Sequence, residues 1–73
     1  MTVIQVNNSK AIQTIIYNQE KSQMMIKFAD SPLYTYDNVE KDLFEAFSQA
    51  ESKGSFYHKQ IKPFFTPTQR LDN

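Results

Sequence analysis

Apolar and polar positions along the chain follow a two-residue period up to Tyr36 and a helical period after it. Residues Lys10 to Tyr17 are rich in β-branched and aromatic side chains (Ile12, Thr14, Ile15, Ile16, Tyr17), which favours a strand over 10–17. The polar stretch Asn18-Gln19-Glu20-Lys21-Ser22 has the length and chemistry of a hairpin loop. Met24, Ile26 and Phe28 then alternate with Met25, Lys27 and Ala29, which predicts a half-buried strand over 23–29. Asp30-Ser31-Pro32 reads as a tight turn, and Leu33-Tyr34-Thr35-Tyr36 as a short strand with both tyrosines on one face. Met1–Asn8 alternates only weakly, through Val3, Ile4 and Val6, and stops at a polar run.

Beyond Tyr36, Val39, Leu43, Phe44, Ala46, Phe47 and Ala50 gather into one helical stripe, which predicts a helix over about 39–52. Asp37 and Glu40 have capping-box spacing at its start. Gly54, the only glycine, stands where a left-handed C′ residue is expected. Ser55 is placed to cap a second, shorter helix running to about Lys62 and stopped by Pro63. The expected fold is α+β: a three-stranded antiparallel meander, then a helix and a short second helix packed on one face. Its core is expected to contain Ile12 or Ile15, Met24, Ile26, Phe28, Leu43, Phe47 and Ile61. Residues 1–65 read as a single domain, and 66–73 as a flexible tail with little to bury.

Length adds a bound, since 73 residues have material for one core only. There is no cysteine, which removes disulfides, thiolate metal sites and a cysteine nucleophile and suits a reducing cytoplasm. No apolar run exceeds three residues, and the N-terminus lacks the basic start and apolar centre of a signal peptide. A cytoplasmic protein with no membrane contact is expected. Net charge is zero but unevenly placed. Residues 1–29 sum to +2, residues 30–52 to −5, and residues 53–73 to +3.

Candidate chemistry is sparse. A triad needs a nucleophile, a base and an orienting group, and His58 is the only histidine; without a second histidine or a cysteine it is also a poor metal site. No enzyme, cofactor or metal is expected. The loop Ser52-Lys53-Gly54-Ser55 opens a helix and has the chemistry of an anion pocket, without the longer glycine cradle of nucleotide-binding loops. Tyr34, Tyr36, Phe56, Tyr57, Phe64 and Phe65 interleave with Lys53, Lys59 and Lys62, as aromatic faces and cations do where single-stranded nucleic acid is held. The alternative role for such aromatics is the core of a small domain without tryptophan.

Three segments resemble the KTSC domain, named from its position at the C-terminus of some lysyl-tRNA synthetases. They are Ser9-Lys10-Ala11-Ile12 continuing to Ile15-Ile16-Tyr17-Asn18; Met24-Met25-Ile26-Lys27-Phe28 followed by Tyr34-Thr35-Tyr36; and Ala46 through Ser52-Lys53-Gly54-Ser55-Phe56-Tyr57 to Ile61-Lys62. The resemblance spans Ser9 to Phe65 and is to the free-standing small form found in bacteria and phages. It departs from the family pattern at Ile16, Glu40, Lys41, His58 and Lys62.

By association with the synthetase, the resemblance implies RNA binding. Its nucleic-acid or anion-binding positions would be Tyr34, Tyr36, Lys53, Gly54, Ser55, Tyr57, Lys59 and Lys62. The expected function is a small non-catalytic module that binds RNA or single-stranded nucleic acid through the basic, aromatic C-terminal third. Two alternatives stand beside it. One is a phage- or bacteria-encoded interaction module meeting a host factor or a second copy through a sheet edge. The other is a binder of phosphorylated small molecules.

Overall fold

The structure is a computed structural model and describes residues 1–7 and 9–71. The three expected strands are present as β2 (Ile12–Asn18), β3 (Gln23–Phe28) and β4 (Leu33–Tyr36), each antiparallel to the next. Two further strands flank them. β1 (Thr2–Gln5) pairs with β2, and the three-residue β5 (Gln69–Leu71) pairs with β4, so the sheet order is β1-β2-β3-β4-β5. The expected three strands thus become a four-stranded meander extended by a short fifth strand. Part of the segment expected as a tail is paired to the sheet, anchored where Thr68 N and Oγ1 both donate to Thr35 O at 2.8 and 3.2 Å. Asp72 and Asn73 lie outside the described residues.

A β-bulge explains how β2 buries three residues that simple alternation would split between faces. Ile12 pairs with Phe28 but Thr14 pairs with Lys27, so Gln13 is the extra residue. The shift brings Ile12 to the same face as Ile15 and Tyr17, and all three are buried. Both isoleucines therefore enter the core, where alternation had offered one or the other. On that face Ile12, Ile15, Tyr17, Met24, Ile26 and Tyr36 meet Val39, Phe44, Phe47 and Ile61. Phe28 and Leu43, expected inside, are half-buried and pack against this cluster.

α1 (Lys41–Gln49) is shorter than its apolar stripe predicts. Val39 is not helical. It is pinned before the helix, its N–H donating to Ser22 O and its carbonyl accepting from the buried Tyr17 hydroxyl, each at 2.8 Å. Asn38 makes the turn into it with φ 60. The expected capping box does not form: Glu40 is the N-cap without a side-chain bond, and Asp37 instead accepts from Gln23 Nε2 at 3.0 Å. Tyr17 stacks on Phe44 with ring centroids 4.5 Å apart, fastening α1 to the sheet. Ala46, counted in the stripe, is exposed.

The α1 terminus also differs. The chain leaves α1 through an extended Ala50 (φ −65, ψ 137), and no glycine has positive φ. Gly54 sits inside the next helix, where an added Cβ would meet nothing within 4 Å, so it is not a left-handed stop. The following helix begins as α2 (Lys53–Phe56) and runs directly into a π-helical turn, Tyr57–Ile61. Phe56 stacks on Phe47 at 5.3 Å, tying α2 to α1.

Candidate functional site

The start of α2 is built by Ser52, not Ser55. The Ser52 hydroxyl accepts from Ser55 N at 3.2 Å, so that backbone N–H is engaged within the loop. Lys53, partly buried, turns its ammonium back onto Ala50 O and closes the carbonyl end of α1. These contacts give Ser52-Lys53-Gly54-Ser55 a structural role as a junction between two helices.

The π-helical turn shows a different organisation. Lys62 N donates to Tyr57 O at 2.8 Å, a five-residue step that widens the helix by one residue. Tyr57 and Ile61 face the sheet, while His58, Lys59 and Gln60 between them are exposed, as is Lys62 after them. The chain then closes with Phe64 N and Phe65 N both donating to Ile61 O, at 3.0 and 2.9 Å. Phe65 packs against the core, and Phe64 is left 72% exposed.

Tyr57 is the anchor of this turn. Its ring meets Phe28 edge-on at 5.2 Å and Tyr36 at 6.4 Å, and its hydroxyl lies 2.9 Å from the Tyr36 hydroxyl. Phe28 in turn meets Tyr34 edge-on at 5.4 Å. The aromatic group therefore joins β3, β4 and the π turn. Burial pushes the Tyr36 phenol far above the usual tyrosine range, and the hydrogen bond with Tyr57 adds to the shift.

The structure thus sorts the expected site residues. Tyr36, expected as a stacking face, is 1% exposed and belongs to the core. Tyr34 and Tyr57 are half-buried. Lys59 and Lys62 stand exposed on the π turn, whereas Lys53, Gly54 and Ser55 belong to the helix junction. Phe64 stood among the aromatics interleaved with lysines but not among the binding positions the resemblance implied, and His58 was in neither set. The aromatic pair Phe64-Phe65 lies between Pro63 and Pro67. From Ser52 to Arg70 the sequence has no acidic residue. The exposed Asp42 and Glu45 sit instead on α1, where Glu45 pairs with Lys41 at 3.7 Å. Among the described residues no group of three or more His, Asp or Glu side chains could hold a metal ion, and no helix is long and apolar enough to cross a membrane.

The KTSC domain profile matches residues 8–65, most of the chain and nearly the span carrying the sequence resemblance. The chain belongs to the KTSC domain family. The crystal structure of a KTSC domain protein from Yersinia pestis is similar over 97% of both chains, with a TM-score of 0.88 and 27% sequence identity. An uncharacterized protein from Stutzerimonas stutzeri (strain A1501) is 25% identical over 64 residues, covering 88% of this chain and 90% of that one. The match includes the junction Ser52–Ser55 and the π turn, so both lie within the KTSC region rather than in an appended segment.

Proposed function

We propose that this KTSC domain is a non-catalytic module that binds single-stranded RNA through the outer surface of the π-helical turn. The observation that carries the reading is Phe64, a large aromatic ring left 72% exposed beside Lys62 in a stretch without acidic residues. Leaving a phenylalanine in water forfeits burial worth roughly 1.5–3 kcal/mol, so a surface that retains one among cations suits a stacking partner. Lys59 and Lys62 supply phosphate contacts, and the exposed His58 beside the half-buried Tyr57 extends the aromatic surface. The Ser52–Ser55 junction supports the turn and is not itself the phosphate site in this reading.

The test is a chemical-shift and anisotropy titration with a short single-stranded RNA at several salt concentrations. With two lysines on two phosphates, log K should fall against log salt with a slope of about −1.4. Lys59→Glu/Lys62→Glu should abolish binding, and Phe64→Ala should weaken it by roughly 1–3 kcal/mol, with both variants melting like the parent. No binding at low salt, or binding unaffected by both variants, refutes the reading. Binding of a single phosphorylated nucleotide as tightly as the oligomer would move the assignment to small phosphorylated ligands.

A further inference from the structure

The second feature is the free edge of the sheet at β1. An exposed edge strand presents a row of unpaired backbone groups, and proteins usually blunt such edges with charge, proline or a bulge. β1 has none of these: residues 1–9 carry no charged side chain and no proline, and the β1–β2 register runs without a shift.

That register also says which backbone groups are free. β1 pairs Thr2 with Tyr17, Val3 with Ile16, Ile4 with Ile15 and Gln5 with Thr14, and just beyond it Val6 N donates to Gln13 O at 2.9 Å. Hydrogen-bonded pairs alternate in an antiparallel ladder. Val6, Ile4 and Thr2 therefore direct their amides and carbonyls at β2, while Val3 and Gln5 direct theirs outward. The outward set is self-complementary. In an antiparallel pairing centred on Ile4, Val3 of one chain faces Gln5 of the other, and both pairs exchange two hydrogen bonds. Ile4 then faces Ile4 across the axis as a non-hydrogen-bonded pair, whose side chains approach closely.

The side chains fit the same register. Ile4 is half-buried against the core, at the open end of the row Ile4–Ile15–Ile26–Tyr34 that crosses the helix-covered face. A second Ile4 would continue that row and finish its burial. On the opposite face Val3 is 56% exposed, at the end of the row Val3–Ile16–Met25. We infer that β1 is a self-recognition edge, joining two copies of this chain about a two-fold axis at Ile4 into one continuous sheet. An isologous contact of this kind closes at two copies. It is small, so association is weak and shows over micromolar to millimolar concentrations.

Light scattering and sedimentation across that range should show the mass rising toward twice the 8.6 kDa of one chain. Val3→Pro removes an outward N–H and leaves the β1–β2 ladder intact, and Val3→Lys places charge at the edge; each should hold the protein monomeric while circular dichroism stays that of the parent. Should Val3→Pro fail to fold, Val3→Lys alone decides. The absence of native cysteine allows a positional test. Ile4→Cys should oxidise to a disulfide dimer at least about tenfold faster than Lys21→Cys in the exposed β2–β3 hairpin, because only the former thiols meet across the axis. A monomer at millimolar concentration, a dimer that survives Val3→Lys, or equal oxidation of the two cysteine variants would each overturn the inference.

Discussion

Replacing Tyr36 by phenylalanine should make this domain less stable at neutral pH and more stable in alkali. The Tyr36 ring is buried between β3 and the π turn, and its hydroxyl has one partner, the Tyr57 hydroxyl at 2.9 Å. Losing one neutral hydrogen bond, with the half-buried Tyr57 left able to meet water, costs about 1 kcal/mol. The alkaline effect has the opposite sign. Burial, then the Tyr57 bond, raise the Tyr36 pKa in the folded state, while the unfolded chain releases this proton near pH 10. Above that pH the unfolded state binds fewer protons than the native state, so unfolding becomes easier by about 1.4 kcal/mol per pH unit. The contribution is whole below pH 10 and lost as pH rises beyond it. Phenylalanine has no such proton, so the stability curves of parent and variant should cross between about pH 10 and 11. Urea unfolding at a series of pH values, with tyrosinate absorbance following ionisation, measures both limbs. Curves that stay parallel through pH 11 would show that Tyr36 ionises freely in the folded chain and would refute its burial and pairing.

Two further substitutions test the packing. Phe47→Ala, which removes a fully buried ring stacked on Phe56, should destabilise by about 3–5 kcal/mol, whereas Phe64→Ala should stay within about 0.5 kcal/mol by thermal melting; a mild Phe47 variant would refute the proposed core. Ser52→Ala should cost about 1 kcal/mol and Ser55→Ala almost nothing, and the reverse order in urea unfolding would restore Ser55 as the cap.

What could be read from the sequence follows where the physical signal was local. β3 and β4 were legible from a two-residue period and β2 from its β-branched and aromatic content, and the Phe47 and Ile61 positions follow from helical spacing. β1 was missed because an edge strand buries little: of its four residues only Ile4 is even half-buried, so alternation has nothing to mark it. β5 was missed because its pairing depends on Thr35, more than thirty residues away, and no local pattern encodes that contact. Val39 looked helical by spacing, but a tertiary hydrogen bond from Tyr17 holds it outside the helix. The Ser52–Ser55 loop carried the right residue types for an anion pocket, yet the same types also make caps, and here the Ser55 N–H and the Lys53 ammonium bond to Ser52 Oγ and Ala50 O. Lys59 and Lys62 were legible as exposed cations and Phe64 as one of the interleaved aromatics, while its exposure, with Phe65 taking the inward place, is set by packing.

The proposed surface is anchored three strands away from the β1 edge, and their separation constrains how they would act together. Tyr57 reaches Tyr36 on β4, three strands from β1. Pairing through β1 places two β4 strands seven strand spacings apart, roughly 34 Å at about 4.8 Å each. A short oligonucleotide cannot bridge that distance and would bind monomer and dimer alike. A longer one would engage both sites, and its second contact would be intramolecular, so affinity would rise without any new protein–RNA contact. The two proposals remain separable, since Val3→Lys removes only the gain seen with long RNA, and Lys59→Glu/Lys62→Glu removes binding of every length.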